Sequence, residues 1–129
     1  MLKIMLASSA PEPLKDLSAW MRQQEDVQFS VADSGAQALK AVQQTGVHLV
    51  ICDATLSDMS GLELVEQLVQ LNPLLNTALL SPLSKHDFHE ATEGLGVLMQ
   101  LPLRPGPEEC QTLLERLKLV SFASGKSDI

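Results

Sequence analysis

The segment His48-Leu49-Val50-Ile51-Cys52-Asp53 decides the fold of this chain. Four apolar or half-polar residues, rich in β-branching, end abruptly on one carboxylate, that of Asp53. The following segment, Ala54–Leu64, contains a polar turn with Gly61 and then an apolar pattern of helical period. Short apolar runs of this kind are typical of buried parallel strands, and α/β sheets bind their ligands at the carboxyl ends of such strands. The pattern therefore predicts a buried strand that carries an acid to the functional edge of a sheet.

The same alternation of a short apolar run and an amphipathic segment recurs along the whole chain. The predicted strands are Leu2–Leu6, Val27–Val31, Leu49–Cys52, Thr77–Leu80 and Val97–Leu101. The first predicted helix begins at Pro11 or Pro13, and the second follows a cap at Ser34 and is ended by Gly46. The third begins at about Leu62 and is ended by Asn72, the fourth begins at Lys85 and is ended by Gly94, and the fifth begins at Pro107. Five strand–helix units predict a single α/β domain, a doubly wound parallel sheet with helices on both faces.

The domain is predicted to span residues 1–122, because the last helix keeps its apolar stripe as far as Val120. Residues 123–129 are mostly small and polar, which predicts a flexible tail or the start of a linker. A chain of 129 residues is long enough for one full core and too short for two ordinary domains.

Composition limits the partners and the compartment. A net charge of −7 argues against direct binding to nucleic acid, which requires clustered lysine and arginine. Cys52 and Cys110 are too few and too far apart for a disulfide framework, and strand alternation predicts that Cys52 is a buried, unreactive thiol. No apolar run resembles a signal sequence or a membrane span, so we expect a cytoplasmic protein that does not bind membranes.

Motifs of enzymes and of metal sites are missing from the sequence. It has no glycine-rich phosphate loop, no serine nucleophile elbow and no CxxC pair, so no enzymatic activity is predicted. His86, His89 and Glu90 have the spacing of metal ligands on one helix face, but no distant cysteine or histidine obviously joins them. We interpret this group as a solvated helix face and predict no metal site.

Three segments resemble the receiver domain of two-component response regulators: Asp33–Leu39, His48–Leu64 and the Leu-Pro-Leu at 101–103. The resemblance extends from Lys3 to about Val120. It implies a flavodoxin-like fold with five parallel strands in the order 2-1-3-4-5 and five helices. It also implies a phosphoacceptor aspartate after strand three, an acid pair after strand one that holds a divalent cation, a hydroxyl after strand four, and a lysine before a proline after strand five.

Four positions of this sequence match that pattern. Asp53 stands at the phosphoacceptor position, Thr55 at the position whose backbone carbonyl helps to hold the cation, and Ser81 at the hydroxyl position. Pro102 matches the proline of the family, and the resemblance implies a cis peptide bond before it.

The charged groups that the chemistry needs are replaced. Ser8 and Ser9 stand where the family has its acid pair, Leu101 stands in place of the lysine, and Leu98 in place of an aromatic switch residue. Mg²⁺ requires carboxylate ligands, and a carboxylate that attacks an anionic phosphoryl group requires positive charge nearby. We therefore predict weak or absent Mg²⁺ binding, no other cofactor, and a degenerate receiver of the pseudo-receiver type.

The sequence favours a signalling domain that acts by protein–protein interaction, independently of Mg²⁺-dependent phosphorylation. The predicted docking face combines helix four, strand five and helix five, with Leu98, Met99 and Leu103 as contact residues. Its partner is predicted to be a fused output domain, a histidine kinase or a second copy of the chain. Two alternatives stay open: a receiver phosphorylated on Asp53 by a histidine kinase, and a sensor of an uncharged small molecule in a pocket lined by Ala7, Ser8, Ser9, Ser81 and Leu101.

Overall fold

Five parallel strands form one sheet in the computed structural model, which describes residues 1–10 and 12–123. The strands are β1 (Leu2–Ala7), β2 (Val27–Ala32), β3 (Leu49–Cys52), β4 (Asn76–Leu80) and β5 (Met99–Leu101). The helices are α1 (Lys15–Arg22), α2 (Gly35–Gln44), α3 (Gly61–Leu71), α4 (Lys85–Ala91) and α5 (Pro107–Ala123), and a 3-10 turn (Glu12–Leu14) precedes α1. The sheet order β2-β1-β3-β4-β5, with every pair parallel, confirms the predicted fold.

The sheet separates two apolar cores, because successive side chains of a strand point to opposite faces. In β3, Leu49 and Ile51 face the core beneath α1 and α5, whereas Val50 and Cys52 face the core beneath α2, α3 and α4. All four side chains are fully buried. The central strand is thus covered on both faces, which explains why its sequence is continuously apolar rather than alternating.

Serine caps fix where α2 and α3 begin. Ser34 caps α2 as predicted, its Oγ accepting a hydrogen bond from Gln37 N at 3.0 Å. Ser60 and Glu63 form a capping box, in which Glu63 N donates to Ser60 Oγ at 3.0 Å and Ser60 N donates to Glu63 Oε1 at 3.5 Å. As a result α3 begins at Gly61.

Two helices differ from their predicted bounds. The first α-helix begins at Lys15 and not at Pro13, because the chain makes a 3-10 turn before it enters the helix; Pro11 lies outside the described residues. The second helix ends at Gln44 and not at Gly46, because the backbone is already extended at the residue after Gln44.

The connection between α4 and β5 is longer than predicted. The helix ends at Ala91, and the strand begins at Met99 instead of Val97. Gly94 and Gly96 have φ angles of 82° and 65°, which only glycine adopts readily. Val97 and Leu98 lie outside the strand, although Leu98 N already donates to Thr77 O of β4 at 2.8 Å.

The two cysteines are free and buried. Burial, reinforced by the charge of Asp53, raises the pKa of the Cys52 thiol, and burial raises the pKa of the Cys110 thiol to about 11. A thiol in such surroundings stays protonated at neutral pH and is a poor nucleophile. The prediction that Cys52 is buried is confirmed.

The ends of the domain stay a prediction. The structure places Ala123 at the end of α5, and residues 124–129 of the predicted tail lie outside the described residues. In the part of the chain that the structure describes, no helix has both the length and the apolar character needed to cross a membrane.

Candidate functional site

Asp53 lies at the carboxyl edge of the sheet, directly after β3, and its side chain is half-buried. Its backbone N donates to Ala7 O at 3.0 Å, which fixes the end of β3 against the end of β1. The carboxylate Oδ2 accepts a hydrogen bond from Ser8 Oγ at 2.8 Å, and Oδ1 accepts one from Ala54 N at 2.7 Å. Each carboxylate oxygen therefore has a neutral donor.

Ser8 is positioned by the end of β1 and is fully buried. Its backbone N donates to Ala32 O at 2.9 Å, which continues the pairing of β1 with β2. Besides donating to Asp53, its hydroxyl accepts a hydrogen bond from Ala10 N at 3.2 Å. The residue at this acid position thus supplies a hydrogen-bond donor to Asp53 in place of a second anion.

Ser9 lies at the same loop but does not join Asp53. Its hydroxyl donates to Asp33 O at 2.8 Å and accepts from Ser57 N at 2.8 Å. It therefore ties together the loops that follow β1, β2 and β3. Of the two serines assigned to the acid positions, the structure brings only Ser8 to the Asp53 carboxylate.

Ser81 and Leu101 meet through their backbones at the ends of β4 and β5, where Ser81 N donates to Leu101 O at 2.9 Å. Ser81 Oγ accepts a hydrogen bond from Leu83 N at 3.2 Å, which closes the turn into α4. The Leu101 side chain is fully buried in the core beneath α1 and α5. The position of the family's lysine therefore contributes to core packing.

The prediction of a cis peptide bond before Pro102 is wrong, because no cis bond occurs among residues 1–10 and 12–123. The trans form of a bond before proline is intrinsically favoured by ~0.5–1 kcal/mol. The remaining predicted position, Thr55, is exposed and pairs with Ser60 in an isolated antiparallel bridge within the loop between β3 and α3.

Asp58 is a residue of the site region that the sequence analysis missed. Its Oδ1 accepts from Gly35 N and its Oδ2 from Ala36 N, each at 2.9 Å. These are free amides of the first turn of α2, so a carboxylate from the loop after β3 caps a helix 22 residues away. The amide bonds of Ala36 and then Gly35 hold the pKa of Asp58 below its usual value of 3.8. No local pattern marks this role.

We expect Asp58→Asn to destabilise the protein at neutral pH and to have less effect in acid. Because the folded-state pKa is lowered, the stabilisation by Asp58 is present above its ordinary pKa of 3.8 and is lost as the pH falls through the folded-state value. Urea unfolding of both proteins at several pH values between neutral and acid measures this. Ser34→Ala is the control, since it removes a cap of the same helix without a titrating group; a pH-independent loss in Asp58→Asn would contradict the prediction.

The predicted docking residues differ in accessibility. Leu98 and Met99 are half-buried and pack against the core beneath α1 and α5. Leu103 is 46% exposed. A surface contact through this face would therefore involve Leu103 more than the other two side chains.

A cavity of about 420 Å³ opens between the β4–α4 turn, α4, and the start of α3. Apolar and hydroxyl side chains line it without a charged group, among them Leu62, Ser81, Leu83, Phe88 and Leu103. A sequence-based pocket for an uncharged molecule had combined Ser81 with Ala7, Ser8, Ser9 and Leu101. Of these five residues only Ser81 lines this cavity.

The histidines of α4 are on an exposed face. His86 Nε2 lies 2.6 Å from Glu90 Oε1, and both side chains are largely exposed. Among the described residues, no group of three or more histidine, cysteine, aspartate or glutamate side chains is arranged to hold a metal ion.

This sheet, with an aspartate after β3 and a hydroxyl residue after β4, has the architecture of a signalling receiver. The chain belongs to the response regulator receiver domain family, whose model matches residues 4–116. Receiver domains are in general non-enzymatic modules that work with histidine kinases and output domains. No curated protein matches the chain.

Solved structures of receiver domains share the fold at low sequence identity. The signal receiver domain of an HD domain-containing protein from Pseudomonas fluorescens Pf-5 is 20% identical, with a TM-score of 0.83, over 98% of this chain and 93% of that chain. The chemotaxis response regulator CheY4 of Vibrio cholerae is 18% identical, with a TM-score of 0.79, over 91% and 98%. A CheY-like receiver domain from Methanospirillum hungatei JF-1 is 18% identical, with a TM-score of 0.76, over 98% of both chains.

The residues around Asp53 do not fit the divalent cation that receiver domains use. The family's acid pair is replaced by Ser8, whose hydroxyl is bonded to Asp53 itself, and by Ser9, whose hydroxyl is bonded to Asp33 O and Ser57 N. Neutral hydroxyls are weak ligands for Mg²⁺, which binds proteins through carboxylates. Of the three positions at which the family has acids, Asp53 is the one that carries a carboxylate in this sequence.

Proposed function

We propose that this receiver domain signals through protein–protein contacts, independently of Mg²⁺-dependent phosphorylation. The observation that carries the proposal is the bonding of the Asp53 carboxylate by Ser8 Oγ at 2.8 Å and Ala54 N at 2.7 Å. Both donors are neutral, so they satisfy the oxygens without compensating the negative charge. A phosphoryl group is also anionic, and its approach to an uncompensated carboxylate is repelled.

The surroundings of Asp53 support this proposal. No ion pair joins Asp53 to a lysine or arginine in residues 1–10 and 12–123. Leu101 occupies the position of the family's lysine, and its side chain is fully buried. Stabilisation of a phosphoryl oxyanion requires preorganised positive charge or a metal, and these residues provide neither.

The partner surface belongs to the same proposal. We assign it to α4, β5 and α5, with Leu103 as the accessible apolar contact, and the partner is a histidine kinase, a fused output domain or a second copy of the chain. A cytoplasmic location is supported by two buried free thiols, which are typical of reducing compartments.

The test is a titration of the 129-residue chain with MgCl₂ and then beryllofluoride, followed by amide NMR. We expect the amides of Asp53, Ala54 and Ser81 to keep their chemical shifts, because the donor set lacks the acids and the lysine. A receiver that has the acid pair and the lysine is the positive control. Shift changes that also occur in Asp53→Asn arise from ionic strength and not from binding at Asp53.

The alternative, a receiver phosphorylated on Asp53, is favoured by one observation: the carboxylate is only half-buried, at the carboxyl edge where the family's phosphoacceptor lies. It predicts saturable Mg²⁺-dependent shifts that Asp53→Asn abolishes, and phosphate label from a histidine kinase on the wild type alone. Either result would refute the proposed function.

A further inference from the structure

We infer that Gln100 is a positioning residue that holds the β4–α4 loop, residues 81–84, in one conformation. Gln100 lies on β5, at the edge of the sheet, and its Nε2 donates to Ser81 O at 3.3 Å and to Leu83 O at 2.8 Å. A side-chain amide nitrogen carries two hydrogens, so both bonds form together. Because both partners are carbonyls, only the nitrogen end of the amide fits between them. We call this pair of bonds the Gln100 clip.

The clip completes the hydrogen bonding of the loop. Ser81 N donates to Leu101 O at 2.9 Å, and Leu83 N donates to Ser81 Oγ at 3.2 Å. Pro82, between them, has no N–H and a restricted φ. With the two carbonyls bonded to Gln100, the polar backbone groups of Ser81 and Leu83 all have partners inside the protein, and the loop is tied to β5 at both residues.

The loop and Asp53 have separate hydrogen-bond partners. The Asp53 carboxylate is bonded to Ser8 and Ala54, whereas the Ser81 hydroxyl is bonded within its own turn to Leu83. In the part of the chain that the structure describes, no hydrogen bond connects the two groups. The conformation of the loop therefore depends on its bonds to Gln100 and within its own turn, and not on a bond to Asp53.

The functional consequence rests on the proposed function. A loop held by Gln100 presents a partner with a constant surface, which includes Leu83, whose side chain is 44% exposed. The same loop forms one wall of the 420 Å³ cavity, together with Leu103. The two hydrogen bonds of Gln100 thus keep the β4–α4 loop in the conformation that a partner would contact.

The test is amide hydrogen exchange of the 129-residue chain by NMR in wild type and in Gln100→Met and Gln100→Glu. Methionine keeps the length of the side chain and removes both donors, so we expect the Leu83 amide to exchange about tenfold faster. Glutamate turns oxygens toward both carbonyls and is expected to have at least the effect of methionine. Gln28→Met, at an exposed glutamine on the opposite edge strand β2, is the matched control.

A merely structural role would raise exchange throughout the protein. The Ile51 amide, in the central strand, therefore serves as the internal reference and is expected to change far less than that of Leu83. An unchanged Leu83 rate, or an equal increase at Ile51, would overturn the clip. Phosphate uptake at Asp53 would refute the proposed function alone, because the exchange experiment uses unphosphorylated protein.

Discussion

Replacing Gly61 by alanine is expected to lower the free energy of unfolding by about 3 kcal/mol. A Cβ at this position would overlap the carbonyl oxygen of Asp53 and would lie 2.7 Å from Leu79 Cδ1. The start of α3 approaches the end of β3 this closely because Gly61 N donates to Ala54 O at 3.0 Å. Backbone cannot move aside as a flexible side chain can, so α3 and the segment that carries Asp53 must separate.

Gly46→Ala is the matched control for this prediction. A Cβ at Gly46 has no neighbouring atom within 4 Å, and its φ is not positive. We expect its effect to stay within about 1 kcal/mol and to be stabilising if anything, because alanine restricts the unfolded chain. Urea unfolding measures both variants, and NMR of the Ala54 amide reports the local displacement. Equal stabilities of the two variants would contradict the steric argument.

Replacing Ser8 by aspartate is expected to destabilise the protein by about 2 kcal/mol in the absence of divalent cations. The substitution sets a second carboxylate at a fully buried position where Ser8 Oγ is now 2.8 Å from Asp53 Oδ2. A hydrogen bond is thereby exchanged for repulsion between like charges, partly screened because Asp53 is half-exposed. Urea unfolding with EDTA present measures the loss.

Magnesium provides the second half of the Ser8→Asp experiment. Two adjacent carboxylates form a site that Mg²⁺ can use, so we expect MgCl₂ to restore part of the lost stability in this variant and to leave the wild type unchanged. Ser8→Asn, neutral and of the same shape as aspartate, is expected to be less destabilised and insensitive to Mg²⁺. If Mg²⁺ does not change the stability of Ser8→Asp, the acid at position 8 is not sufficient to restore an ion-binding site.

The strands are the part of the fold that local sequence predicts best, whereas their order was implied by the resemblance to receiver domains. The apolar run Leu49–Cys52 is buried on both faces, and a short run of this kind is typical of a central parallel strand. The predicted cap at Ser34 uses a group three residues away, so its sequence signal is local; the cap at Ser60 has the same spacing but was not predicted. The start of β5 was predicted less well, at Val97 instead of Met99, after a connection in which Gly94 and Gly96 have positive φ angles.

The site was predicted less completely, because its bonds join distant parts of the chain. The apolar pattern predicted that Asp53 lies at the edge of the sheet. The resemblance to receiver domains indicated that uncharged residues replace the acid pair and the lysine there. It assigned Ser8 and Ser9 the same role, yet the structure directs one hydroxyl to Asp53 and the other to Asp33 O, 24 residues away. Asp58, which caps α2, carries no sequence signal for that contact.

The sequence by itself determined the class of fold, the position of Asp53 after a buried strand, and the replacement of the acid pair and the lysine by uncharged residues. The first two follow from hydrophobic periodicity, a property of short segments, and the third follows from the resemblance to receiver domains. Tertiary structure alone decided which donors satisfy Asp53, that Leu101 packs in the core, and that Gln100 reaches the loop after β4. Those contacts depend on side-chain directions at the ends of neighbouring strands, which the folding of the whole sheet sets and no local pattern encodes.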